Sequence, residues 1–333
     1  MRIVLCYPVE SRHIAQIAAA APDAEIVNAG QEHVARELFD ADIFCGHAKV
    51  PVDWEGVMKK GRLRWIQSSA AGMDHCLVPA VIASDIPVTS ASGVLSDQVA
   101  EHTLGLLIAI TRSFGTFFRQ QQRKEYVRRP TRDLTGATVG IFGFGGVGRR
   151  TAEVLAPFRT TTLAVDLYPV DKPDSVAELH GADKFDDVLA QVDFAILCLP
   201  LNSQTKWMIT KEKLQKMKPG SVLLNMARGK LVVEDDLVAA LEYGPLFAAA
   251  ADVAAEEPLP ADSKLWDLPN MLITPHVAGQ SAKRIDNMTN FFCKNLAAYF
   301  AGRPLKNLVD RELGFPIRKA GDWTSGQAVF GAQ

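Results

Sequence analysis

One segment constrains the fold of this chain more than any other: "TVGIFGFGGVGRRTAEVL", residues 138–155. A strand-like apolar run leads into Gly143, Gly145 and Gly148, and a helix-forming run follows them. A second strand-like run then ends at Asp166, eighteen residues after Gly148. A strand, a glycine-rich turn, a helix and a second strand that ends in an acidic residue begin a βαβ unit. The segment therefore predicts a doubly wound α/β domain with a parallel sheet.

Each part of this segment has a physical role in binding a dinucleotide. Gly143 permits the tight turn, Gly145 lets the backbone approach a pyrophosphate, and Gly148 lets the helix pack closely on the strand. The start of the helix, at Gly146 and Val147, would offer free amides and the positive end of its dipole to the phosphates. The spacing thus predicts a dinucleotide-binding site.

Asp166 bears on which dinucleotide is bound. Its carboxylate would accept hydrogen bonds from the ribose hydroxyls, and its charge would repel a 2′-phosphate. The next residues, Leu167 and Tyr168, provide no arginine that could hold such a phosphate. NAD(H) is therefore the predicted cofactor, although an aspartate at this point could also simply cap a turn.

Strand-like and helical runs alternate along most of the chain, first up to about residue 98 and again from about 138 to 276. This alternation predicts open parallel sheets. We expect two Rossmann-like or flavodoxin-like doubly wound α/β domains with an interdomain cleft. The predicted boundaries are a discontinuous substrate domain, 1–98 plus 280–333, and an inserted NAD domain, 99–279, with long helices at 97–117 and 281–301 as the crossings.

The composition excludes several classes of function. The chain has 333 residues, of which 48% are hydrophobic and 22% charged, and its formal net charge of −2 argues against nucleic acid or an anionic membrane as a partner. Five scattered cysteines without CxxC spacing indicate a reducing compartment and no metal site. The apolar run "TLGLLIAI" is too short to span a bilayer, and "MRIVLCYPVE" resembles a first strand more than a secretion signal. A cytoplasmic location is expected.

Three chemically apt side chains follow predicted strands towards the C-terminus. Arg228 follows "SVLLNMA", Glu257 follows "LFAAAADVAAE", and His276 comes just after "NMLIT". The carboxyl ends of parallel strands meet at one edge of a sheet, so the three side chains could converge there. Arginine can grip a carboxylate, imidazolium can protonate a keto oxygen, and a carboxylate can fix the imidazole tautomer. The set predicts reduction of a 2-keto acid, although His276 taken alone would also fit a structural contact.

The chain resembles the D-isomer-specific 2-hydroxyacid dehydrogenases from about residue 40 to about 315. The resemblance is carried by "WIQSSAAGMD", "VTSASGVLSDQVAEHTLGLLIAITR", "GATVGIFGFGGVGRRTAEVL", "LPLNSQTKWMI", "MKPGSVLLNMARGKLVVEDDLVAAL", "ADVAAEEPLPADSKLWDLPNMLITPHVAG" and "KNLAAYFAGRPLKN". It implies that Arg228 is the family's catalytic arginine, that Glu257 is the family's catalytic glutamate and that His276 is the family's acid–base histidine. It also implies a short form without a regulatory domain, similar to glyoxylate/hydroxypyruvate reductases or phosphoglycerate dehydrogenases.

Further roles come from the same resemblance. The backbone amides of Ala70, Ala71 and Gly72 would hold the substrate carboxylate, and Asp252 would lie near the carboxamide end of the cofactor. A homodimer formed through the cofactor domain is implied as well. His102, within the predicted helix at 97–117, is interpreted as a structural contact.

The identity of the acid stays open. The loop "AAG" replaces the Gly-Val-Gly that is frequent in the family and narrows the space over the carboxylate. Glyoxylate and hydroxypyruvate are the first substrates to test, in either direction of the reaction. Two alternatives remain: a family relative that oxidises an unusual donor such as phosphite or formate, and an NAD-sensing corepressor or scaffold.

Overall fold

The structure, a computed structural model, describes residues 1–73, 75–317 and 320–321. The chain folds into two units, which we name by their sheets. The five-stranded unit contains Met1–Leu95 and the segment that begins at Ser281, and the seven-stranded unit contains Ser96–Gln280. The predicted substrate domain extends to residue 333; after residue 317, only residues 320–321 of it are among the described residues.

Strands and helices alternate in both units. The strands are β1 Arg2–Cys6, β2 Glu25–Asn28, β3 Ile43–Gly46, β4 Trp65–Ser68, β5 Val88–Thr89, β6 Thr138–Phe142, β7 Thr161–Asp166, β8 Glu178–Gly181, β9 Phe194–Leu197, β10 Ser221–Asn225, β11 Leu246–Ala251, β12 Met271–Ile273, β13 Val309–Asp310 and β14 Phe315–Pro316. The helices are α1 Ser11–Ala20, α2 Gly30–Glu37, α3 Trp54–Lys60, α4 Pro79–Ile82, α5 Ser96–Thr111, α6 Phe114–Gln122, α7 Gly146–Leu155, α8 Phe185–Leu189, α9 Lys211–Lys216, α10 Glu234–Glu242 and α11 Arg284–Phe300.

The five-stranded sheet has the order β2-β1-β3-β4-β5, and all its pairings are parallel. Its central strands are buried on both faces: Val4 of β1 packs into one core and Ile3 into the other, as expected for strands joined by helical crossovers. Helix α11 returns to this unit and packs Phe292 and Leu296 into the same core as Ile3 of β1 and Ile17 of α1. A discontinuous stretch of sequence thus completes one hydrophobic core.

The seven-stranded sheet has the order β12-β11-β10-β9-β6-β7-β8, again entirely parallel. Adjacent residues of one strand enter different cores: Leu223 of β10 packs on one face and Leu224 on the other. Both faces are therefore buried, as expected for strands joined by helical crossovers. The predicted fold class, two doubly wound parallel α/β sheets, is confirmed.

Local details differ from the sequence-based expectation. The single helix predicted for 97–117 is wrong, because the chain breaks between α5 and α6 at Ser113, which has a left-handed backbone with φ of 57°. An apolar periodicity that continues across such a residue does not reveal the break. The short strands β8, β13 and β14 were not anticipated either. None of the helices within the described residues is long and apolar enough to cross a membrane.

Candidate active site

The three predicted catalytic residues follow three neighbouring strands. β10, β11 and β12 lie side by side, with Asn225 opposite Ala251 and Ala251 opposite Ile273. Parallel strands lie about 4.8 Å apart, so their carboxyl ends form one short edge. The loops that carry Arg228, Glu257 and His276 all leave from this edge.

His276 and Glu257 form a direct pair. Nδ1 of His276 lies 2.8 Å from Oε2 of Glu257. A carboxylate only accepts hydrogen bonds, so Nδ1 carries a proton and Nε2 is the nitrogen left for proton exchange with a ligand. The other oxygen of Glu257 accepts the backbone N–H of Ala254 at 3.1 Å, which orients the carboxylate. The imidazole remains open to solvent, with 48% of its side chain exposed.

The turn formed by residues 274–278, here called the histidine turn, is held by Asp252. This carboxylate directly follows β11, is 2% exposed, and accepts the backbone N–H groups of Val277 at 2.9 Å and Ala278 at 2.8 Å. It also accepts the hydroxyl of Thr274 at 2.6 Å. Within the turn, His276 has a left-handed φ of 55°, a conformation that costs a non-glycine residue free energy unless its surroundings impose it. The Asp252 hydrogen bonds supply that constraint.

Arg228 is placed by the loop after β10. Asn225 at the end of that strand donates its side-chain amide to the carbonyl of Arg228 at 2.9 Å. A Cβ at Gly229 would lie 1.9 Å from the carbonyl carbon of Ala254, so only glycine fits there. The arginine loop therefore packs directly against the loop that leads to Glu257.

Glu234 supports the same loop, and sequence reasoning missed it. Its Oε1 accepts the backbone N–H of Ala255 at 2.9 Å, across 21 residues of sequence. Val233 is the N-cap of α10, and the neighbouring Asp236 accepts the N–H of Lys211. No short-range pattern could have identified Glu234, because its partner is set only by the pairing of distant loops.

The glycine-rich loop has the geometry that its spacing predicts. Gly143 has φ of +92°, and a Cβ there would lie 2.6 Å from the carbonyl oxygen of Cys198. A Cβ at Gly148 would lie 2.2 Å from the Gly143 oxygen, whereas a Cβ at Gly145 would enter open space. Gly146 and Val147 form the first turn of α7, where amides lack partners within the helix. The open space at Gly145 and these amides fit a bound pyrophosphate.

Asp166 lies at the end of β7 and accepts two backbone amides. Its Oδ2 accepts the N–H of Phe144 at 2.6 Å, and its Oδ1 accepts the N–H of Tyr168 at 2.9 Å. A carboxylate offers about four acceptor positions, so lone pairs remain for ribose hydroxyls. The turn-capping alternative is therefore real and compatible with a cofactor contact. Arg149 is buried and donates to the carbonyls of Val170 and Asp171, so it secures the loop that follows Asp166.

The predicted carboxylate-binding amides lie in the five-stranded unit, just after β4. The N–H of Ala70 donates to Oγ of Ser68 at 3.0 Å, and the Ala70 carbonyl accepts the N–H of Ala91 at 2.9 Å. Ala70 thus braces its own loop. The amides of Ala71 and Gly72 follow in the same loop, and their binding of a substrate carboxylate stays a prediction.

Residues 104–278 match the family model described as "D-isomer specific 2-hydroxyacid dehydrogenase, NAD binding domain". The matched residues lie within the seven-stranded unit and include the glycine-rich loop, Asp166 and the catalytic candidates. The prediction of a nicotinamide dinucleotide cofactor is confirmed.

Individual relatives cover almost the whole chain. The glycerate dehydrogenase of Methylorubrum extorquens is 33% identical over 84% of this chain and 88% of its own length. The glyoxylate reductase of Thermofilum pendens is 31% identical over 85% of each chain. Among solved structures, a D-isomer specific 2-hydroxyacid dehydrogenase from Xanthobacter autotrophicus Py2, in complex with NADPH and MES, has a TM-score of 0.79 at 27% identity and covers 94% of this chain and 99% of that chain.

Proposed function

We infer the reaction of this chain from its family: it belongs to the D-isomer specific 2-hydroxyacid dehydrogenases and is an NAD-binding oxidoreductase. We propose that it catalyses the reversible reduction of a small 2-keto acid to the D-2-hydroxy acid with NADH. The observation that carries this proposal is the His276–Glu257 pair, 2.8 Å apart at the carboxyl edge of the seven-stranded sheet.

In the proposed mechanism, each residue acts on a defined part of the substrate. Gly143–Gly148, Asp166 and Asp252 would hold the cofactor, which would supply a hydride for C2 of the keto acid. Arg228 binds the carboxylate and the keto oxygen through its planar guanidinium. His276 donates the proton of Nε2 to the keto oxygen, and the neutral imidazole is then reprotonated from solvent. Glu257 keeps the proton on Nδ1 and holds the ring in place throughout.

The substrate class follows from the relatives and from the loop after β4. Relatives named glycerate dehydrogenase and glyoxylate reductase support a two- or three-carbon acid. We propose glyoxylate or hydroxypyruvate, with the amides of Ala71 and Gly72 holding the carboxylate. Asp166 supports NADH, but the solved relative was crystallised with NADPH, so both must be tested.

The experiment is a turnover screen that follows the loss of NADH or NADPH absorbance. The panel contains glyoxylate, hydroxypyruvate, pyruvate, phenylpyruvate and oxaloacetate, with phosphite and formate assayed in the oxidative direction with NAD. We expect one of the two smallest acids to have the highest kcat/KM. Tight NADH binding without turnover of any keto acid would overturn the proposal, and turnover of phosphite or formate would replace it.

We further propose a homodimer formed through the seven-stranded unit, as in the family it resembles. Support comes from α6 and the residues after it, where Phe114, Phe118, Tyr126 and Val127 are large hydrophobic side chains exposed to solvent. Sedimentation of the wild type as a dimer, and of Phe118→Glu as a monomer, is the expected result. A monomeric wild type at micromolar concentration would exclude the dimer.

A further inference from the structure

A partly buried series of hydrogen bonds leads from helix α5 to the histidine turn. Nε2 of His102 on α5 lies 2.9 Å from Oγ1 of Thr274, although the two residues are 172 positions apart in sequence. Oγ1 of Thr274 lies in turn 2.6 Å from Oδ1 of Asp252. All three residues belong to the seven-stranded unit.

The donors and acceptors of this series can be assigned without ambiguity. The Asp252 carboxylate only accepts, so the single hydroxyl proton of Thr274 points to Asp252. The Thr274 oxygen must then accept from His102, and Nε2 of His102 carries a proton. Both the neutral Nε2–H tautomer and the imidazolium satisfy this requirement. The neutral Nδ1–H tautomer does not, since it would place two acceptors against each other.

Asp252, the last residue in this series of hydrogen bonds, holds the backbone next to His276, the proposed proton donor. Asp252 accepts the N–H groups of Val277 and Ala278, which follow His276 directly. The carbonyl of Thr274 accepts the N–H of His276 itself at 3.0 Å. Thr274 and Asp252 thus hold the turn on both sides of His276 and keep it at its left-handed φ of 55°.

We propose that His102 is a positioning residue: by donating to Thr274 it fixes the Thr274–Asp252 hydrogen bond and, through it, the orientation of His276. This inference rests on the proposed function for the role of His276. It assigns to His102 a task in the reaction beyond a packing contact in α5. Misplacement of a catalytic group by a fraction of an ångström lowers the rate without removing any group that touches the substrate.

The first test is a set of variants with matched controls. His102→Leu removes the donor, and His102→Gln retains a neutral N–H at a position close to that of Nε2. His180→Leu is the control, because His180 has a similar exposure (26% against 23%), also faces a carboxylate, and lies on β8 at the opposite end of the sheet. We expect His102→Leu to lower kcat roughly tenfold with the NADH affinity changed less than about twofold, and His102→Gln to restore most of kcat.

The second test does not require turnover. In His102→Leu, and in Thr274→Val as an independent variant, the amides of Val277 and Ala278 should exchange with deuterium faster than in the wild type, because their acceptor is less well held. Thr274→Ser should exchange as the wild type does. If both amides exchange at wild-type rates in His102→Leu and Thr274→Val, the inference is wrong, whatever the enzyme's substrate. If these variants exchange faster but the wild type turns over no keto acid, the proposed function is wrong, while the inference that His102 holds the histidine turn is supported.

Discussion

At the carboxyl edge of the seven-stranded sheet, the glycine-rich loop after β6 and the histidine turn after β12 are held in different ways. Both use an aspartate that follows or ends a strand and accepts two backbone amides: Asp166 for the first and Asp252 for the second. The glycine-rich loop depends on the absence of side chains at Gly143 and Gly148. The histidine turn depends on side chains that come from distant parts of the chain.

This difference determines how each region should fail. A Cβ at Gly143 or Gly148 strikes neighbouring backbone, so a substitution at either position should damage folding and cofactor binding together. A substitution in the histidine turn removes or displaces a half-exposed side chain, so it should damage chemistry and spare the fold. The predictions below test this contrast, from the largest expected effect to the smallest.

His276→Ala should lower kcat by roughly 10²- to 10⁴-fold, the usual contribution of a general acid. NADH affinity, measured by fluorescence titration, should stay within about twofold of the wild type. His276→Asn is the backbone control, since asparagine tolerates a left-handed φ, and it should be equally inactive. Activity within tenfold of the wild type in either variant would exclude His276 as the proton donor.

Gly148→Ala and Gly145→Ala should separate folding from binding within the glycine-rich loop. The first places a Cβ 2.2 Å from the Gly143 oxygen and should lower the free energy of unfolding by about 1–3 kcal/mol. The second places a Cβ in open space, so stability should be retained while NADH affinity falls, because the methyl group occupies the approach of the pyrophosphate. Gly105→Ala on α5, also with open space around its Cβ, serves as the control for both denaturation and titration. Equal NADH affinity in Gly145→Ala and the wild type would refute the assigned pyrophosphate position.

Asp166→Asn should shift the preference between NADH and NADPH by about tenfold towards NADPH, equivalent to about 1.4 kcal/mol. Removal of the negative charge ends its repulsion of a 2′-phosphate, while the remaining carbonyl can still accept an amide of the loop. Asp166→Ala should weaken both cofactors, because the N–H of Phe144 loses its acceptor. The ratio of kcat/KM for the two cofactors measures the effect; an unchanged ratio in Asp166→Asn would argue against a ribose contact.

Two ion pairs that share Asp186, outside both regions, should affect stability only. Hydrogen bonds from Lys213 and Lys216 lower the pKa of the Asp186 carboxyl, so these ion pairs stabilise the fold above the unfolded pKa of aspartate. This contribution is lost as the pH falls through the lowered pKa. Asp186→Asn should therefore reduce the free energy of unfolding at neutral pH by about 0.2–1 kcal/mol and have no effect at strongly acidic pH. Urea denaturation across this pH range measures it, and kcat should not change. A loss of kcat would show that the two regions are not the only ones that support chemistry.

The fold class and the cofactor site were predictable because their signals are short-range. Alternating apolar runs specify parallel strands, and the glycine spacing specifies a turn in which Gly143 and Gly148 have no room for a side chain. The break at Ser113 was not predictable, since a left-handed serine leaves no mark in an apolar periodicity. The hydrogen bond from Phe144 to Asp166 was only partly predictable, because the sequence left both a ribose contact and a turn cap open for that aspartate.

What the sequence by itself determined is the set of parts: two parallel sheets, a dinucleotide loop, and an arginine, a glutamate and a histidine placed after strands. The tertiary structure alone decided how those parts are held. Glu234 reaches Ala255, Gly229 packs on Ala254, and His102 reaches Thr274 only because β10, β11 and β12 pair side by side and α5 lies in the same unit. Local conformation depends on neighbours in sequence, whereas the orientation of a side chain at the edge of a sheet depends on partners that folding brings from far along the chain.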